Sequence, residues 1–149
     1  VLAQEKRSTD EGIAHLQDMQ AGIGENSSLQ GEEMTNPQKV KGDAYERTIV
    51  DYLRKCGFRA DRTRAGWTDD RGDIHGISRL DSPFTLECKN HRGDRLPGWI
   101  DELCREIANN QGLLGAVIHK KHGTTDAGGQ YATMPLWMLA HLLKQAGYE

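Results

Sequence analysis

The stretch FTLECKN, from Phe84 to Asn90, alternates in character: Phe84, Leu86 and Cys88 fall on one side, Thr85, Glu87 and Lys89 on the other. A period of two is the mark of a strand whose successive side chains point to opposite faces of a sheet. The chain is thereby committed to a sheet with one apolar face. The other face carries a carboxylate and an ammonium side by side, followed by Asn90 and His91. Such a pair is either an ion pair on an edge strand or a metal ligand with its catalytic lysine, and the flanking sequence has to choose.

The flanks place this strand between helices. GDAYERTIVDYLRKCGF predicts a helix that stops at Gly57, a C′ glycine. FRADRTR and GDIHGIS predict two strands, and the turn RLDSP leads into FTLECKN as a hairpin. PGWIDELCREIANNQ predicts a helix with Pro97 at its start and Ile100, Leu103, Cys104 and Ile107 on one face. LLGAVIHKK is apolar enough for a central strand, QYATM is a further strand, and PLWMLAHLLKQAG closes the chain as a helix. The order αβββαββα is that of a mixed sheet flanked by helices, in the α/β or α+β class.

A length of 149 residues predicts one domain, but a hydrophobic content of 36% is low for a chain that is globular throughout. Residues 1–38 account for the deficit. They hold seven acidic and two basic residues, net −5, which leaves +2 for the rest of a chain whose total is −3. They read as a disordered or loosely helical acidic extension, with Ser8 and Glu11 at capping-box spacing before Ile13, Leu16 and Met19. The domain is expected over 39–149. Cys56, Cys88 and Cys104 fit neither a zinc site nor a disulfide framework, so each is expected as a small buried apolar residue in a reducing compartment. No apolar run approaches a membrane span and no signal peptide is visible, so a cytoplasmic location is expected, in a prokaryote or in the host of a virus.

Two further acids bear on the two readings of Glu87 and Lys89. In the first helix Glu46, Ile49, Val50 and Leu53 follow the i, i+3, i+4, i+7 spacing of one face, so Glu46 lies in line with core residues. It is either solvated at the rim of that stripe or buried with a partner. Asp73 precedes a strand and stands 14 residues before Glu87, a separation that a hairpin can close. Two close carboxylates repel unless a proton or cation lies between them, and a hard divalent ion suits carboxylate oxygens. Lys89, two residues beyond Glu87 on the same face, is placed to polarise an attacking water. These are the ingredients of metal-assisted phosphodiester hydrolysis.

A helix Glu46, then Asp73, then Glu87-Cys88-Lys89 on a strand resembles the PD-(D/E)xK nuclease superfamily, whose restriction-endonuclease-like core has the same order of elements. Within it, KGDAYERTIVDYLRKCGF resembles the opening of archaeal-type Holliday junction resolvases, with its Lys-Gly, its Glu-Arg pair and its Gly-Phe. The likeness runs from Lys41 to Asn90; beyond Pro97 it is architectural. It implies a homodimeric, Mg²⁺-dependent endonuclease (Mn²⁺ substituting) that cuts branched or double-stranded DNA. Asp73, Glu87 and the Cys88 carbonyl would hold the metal, Glu46 would assist, and Lys89 would activate water. Arg47 would meet a phosphate.

Two departures bear on specificity. Gly72 stands where the superfamily motif has proline, and the loop AGWTDDR is acidic where the resolvases are basic, with Thr68 in place of their serine. Further DNA contacts are expected from Lys41, Arg62, Arg64, Thr68, Arg71 and Arg92. Lys120 and Lys121, in HKKHG, suit phosphate contacts and a solvated hairpin equally well. Two rivals stay open: a restriction- or repair-type nuclease of the same fold, and a non-catalytic DNA-binding protein that keeps it.

Overall fold

The computed structural model describes residues 36–149 apart from 65, 67–69 and 94. The chain divides between Met34 and Thr35, and the second unit is the one described. Residues 1–35 of the expected acidic extension, with its short helix, and Trp67 and Thr68 lie outside the described residues.

Helix α1, Pro37–Lys55, begins four residues before Lys41. The side chain of Asn36 caps it by accepting from the Gln38 N–H at 3.0 Å, and Pro37 fills a first-turn position where its missing N–H costs nothing. Residues 37 and 38, expected within the extension, belong to this helix. At the other end Cys56 is the C-cap and Gly57 takes φ +94°, as its sequence position predicted.

The strands β1 (Asp61–Arg62), β2 (Ile74–His75), β3 (Ser78–Arg79), β4 (Ser82–Lys89), β5 (Leu114–His119) and β6 (Tyr131–Thr133) form a mixed sheet in the order β1-β2-β4-β5-β6, with β3 paired to β4. All pairs are antiparallel except β4 with β5. A parallel neighbour needs a crossover, and α2 (Leu96–Asn109) supplies it. Helix α3, Leu136–Gln145, ends the fold. The architecture is α+β.

GDIHGIS is two strands rather than one. It breaks at Gly76, where φ is +90° and a Cβ would lie 2.0 Å from the Arg59 carbonyl oxygen, so only glycine fits. The two-residue hairpin loop between β3 and β4 has Leu80 and Asp81 both at positive φ, with Leu80 91% exposed.

Each face of the sheet has its own core. Tyr45, Ile49 and Val50 of α1 pack on Ile74, Leu86 and Ala116, with Phe84 and Cys88 beside them. On the opposite face Trp99, Leu103 and Ile107 of α2 pack with Val117 and with Met138 of α3. The buried stripe of α2 is Trp99, Leu103, Glu106 and Ile107, a rotation away from the Ile100 and Cys104 edge that the apolar residues suggested. Cys104 is accordingly exposed, as is Cys56, and only Cys88 is partly buried. No helix among the described residues is long and apolar enough to cross a membrane.

Candidate active site

The strand alternation places Glu87 and Lys89 on the α2 side of β4, because Glu87 pairs in register with Val117, a core residue of that face. Ile74 pairs with Leu86 on the α1 side. Asp73, one residue earlier, therefore turns toward Glu87.

Gly72 is what lets β2 approach there. Its φ is +88°, and a Cβ would lie 2.9 Å from the Leu86 carbonyl oxygen and from the Thr85 methyl. A proline, restricted to negative φ, does not fit this backbone. The Asp73 N–H donates to the Leu86 carbonyl at 2.9 Å. The Cys88 N–H donates to Asp73 Oδ2 at 2.8 Å, so the carboxylate takes the place of a main-chain acceptor where pairing with β2 stops.

The result is a run of neighbouring carboxyl groups: Glu87 lies close enough to Asp73 and to Glu106 of α2 for each to shift the other's titration. Burial pushes Asp73 up to about 8, helped by the charge of Glu87 and opposed by the Cys88 N–H. Burial and then the charge of Glu106 push Glu87 up to about 7 against the pull of Lys89. Glu106 rises to about 7 through burial and the charge of Asp70. Lys89 Nζ stands 2.6 Å from Glu87 Oε1 and 2.6 Å from Glu102 Oε2. Burial alone would lower its pKa, but the bonds to Glu102 and Glu87 outweigh it and hold the ammonium charged.

No family model and no curated protein matches the chain.

Glu46 approaches from the other layer. It sits on α1, which covers the face opposite Lys89 and Glu87, and its carboxylate is 2.7 Å from the Arg62 guanidinium. Its charge reaches Asp73 and Cys88. Arg62 also holds Asp43 at 2.7 Å, so its guanidinium is spent on acids of α1. Lys41, Arg47, Arg64, Arg71, Arg92 and Lys121 are exposed. Lys120 is half-buried, donates to the Thr124 carbonyl at 2.7 Å and lies over the Tyr45 ring.

Three acids were not singled out from the sequence: Asp70, Glu102 and Glu106. Oxygens from all three lie within 4.8 Å of one another. Glu106 was open to detection, since Trp99, Leu103 and Glu106 follow the same spacing that drew attention to Glu46. Glu102 and Asp70 carry no such signal, because an acid on a helix rim or in a loop is ordinarily solvated.

Proposed function

We propose that the chain is a metal-dependent DNA endonuclease of the PD-(D/E)xK type, acting on four-way junctions. The observation that carries this reading is the partly buried Asp73 carboxyl and the buried Glu87 carboxyl, close enough to shift each other's titration, with the Lys89 ammonium 2.6 Å from Glu87. A buried pair of acids held toward neutrality gains most when a cation replaces the shared proton, so these residues fit a divalent ion. Asp73 and Glu87 would hold Mg²⁺ or Mn²⁺, with the carbonyl of Cys88, the residue after Glu87, as a further ligand. When bound, the ion supplies Lewis-acid stabilisation of charge on the scissile phosphate.

The protein's own groups do the rest. Lys89 stays charged, and its Nζ is placed to donate to the attacking water or to a phosphate oxygen. Water adds to phosphorus, the bond to the 3′ oxygen breaks, and the products are a 3′-hydroxyl and a 5′-phosphate. Arg62 orients Glu46 rather than DNA. Of the cations expected at DNA, Lys41, Arg47, Arg64, Arg71, Arg92 and Lys121 are exposed and would meet phosphates. Paired cuts across a junction need two such sites, which is the reason to expect a homodimer.

The test is cleavage of a labelled four-way junction beside a matched linear duplex, in Mg²⁺ and in chelator. Metal-dependent cutting of the junction alone is expected. Equal cutting of the duplex would favour a restriction- or repair-type enzyme, and binding without cutting in any divalent metal would favour a non-catalytic protein.

A further inference from the structure

We propose that Asp70, Glu102 and Glu106 form a second site for a hard divalent cation, and that filling it draws Glu102 away from Lys89. The proposal rests on the nuclease reading for its consequence, not for its ligands.

Two independent observations carry it. The first is the convergence of three carboxylates from two segments, a loop residue and two residues one turn apart on α2, with oxygens within 4.8 Å of one another. The side-chain amide of Asn109 donates to the Asp70 carbonyl at 2.9 Å and ties that loop to α2. The second is Glu106 itself. It is 1% exposed, and its Oε2 is buried with no hydrogen-bond partner. A buried carboxylate oxygen left without a donor costs free energy, and native structures keep such groups where a ligand or water completes them.

The donor set selects the ion. Three carboxylates with no nitrogen or sulfur suit Mg²⁺, Mn²⁺ or Ca²⁺ over softer metals. Opposite ligands lie about 4.8 Å apart around Ca²⁺ and about 4.2 Å apart around Mg²⁺. The three oxygens already lie within the larger distance of one another, and Asp70, which is exposed, can adjust toward the smaller one.

The consequence falls on Lys89. Glu102 Oε2 is the atom that now bonds its Nζ, and the Glu102 side chain is 33% exposed, so it is able to turn. With Glu102 on the cation, Lys89 keeps Glu87 and regains donors for water or phosphate. The second ion thus sets the lysine for its task.

Mn²⁺ bound per full-length chain, counted by loss of the free-ion electron paramagnetic resonance signal, tests this, with thermal melts to verify folding. Wild type should bind two ions. Asp70→Asn and Glu102→Gln should each bind one, and the Mg²⁺ concentration for half-maximal cleavage should rise on the order of tenfold or more in both. Asp73→Asn should lose the other ion and keep this one. If Asp70→Asn and Glu102→Gln, both folded, bind as many ions as wild type, the second site is overturned. If instead Asp73→Asn alone leaves the count unchanged, the second site stands and the Asp73–Glu87 metal site is the one that fails.

Discussion

Asp73 does two jobs whose requirements conflict. It closes a main-chain gap by accepting from the Cys88 N–H, and it brings a carboxyl close enough to Glu87 to feel its charge. The pH dependence of the metal-free protein follows. Asp73, Glu87 and Glu106 all have folded-state pKa values near 7 to 8, above their ordinary values. A raised carboxyl contributes stability that is fully present below its unfolded pKa and lost as pH rises through the folded value. In chelator, the melting temperature should fall between pH 5.5 and 9, and Asp73→Asn should flatten that fall. A divalent cation should stabilise wild type more at pH 8 than at pH 6, because it binds the deprotonated acids. A melting temperature that rises with pH in chelator would contradict this electrostatic account. Lys89→Ala should reduce junction cleavage at least a hundredfold while leaving the gel shift in Ca²⁺ near normal, since binding rests on many dispersed phosphate contacts.

At the scale of elements, α2 has two tasks: it makes the parallel crossover and it floors the site. Leu103 is fully buried beneath it, and Leu103→Ala should cost about 2–5 kcal/mol, read by urea denaturation. That helix also shows what the sequence could and could not tell. The alternation of FTLECKN placed Glu87 and Lys89 on one strand face, and hairpin spacing placed Asp73 near them. The shape of α2 was less legible. Its apolar residues suggested a stripe through Ile100 and Cys104, but the helix buries Trp99, Leu103, Glu106 and Ile107 and leaves Cys104 facing water. In α1 the spacing rightly placed Glu46 beside the core stripe. It was silent on Arg62, whose ion pair with Glu46 spans 16 residues and leaves no local periodicity. The helix that carries Glu46 covers the face of the sheet opposite Glu87 and Lys89, and the charge of Glu46 still reaches Asp73.

At the scale of the molecule, the cap at Asn36 sets the boundary. A chain beginning at Met34 should keep both fold and cleavage. One beginning at Lys41 loses the cap and first turn of α1, and should be destabilised by roughly 1 kcal/mol or more. Circular dichroism melts of the two separate these outcomes. The central claim is that Asp73 and Glu87 form a metal-dependent nuclease centre, and Asp73→Asn probes it most directly because the side chain changes charge with little change in shape. The decisive measurement is single-turnover cleavage of a labelled four-way junction in Mg²⁺ by wild type and Asp73→Asn. The account predicts cutting by wild type and none detectable by the variant, with junction binding in Ca²⁺ retained or tightened. Cutting by Asp73→Asn at a rate near wild type would contradict it.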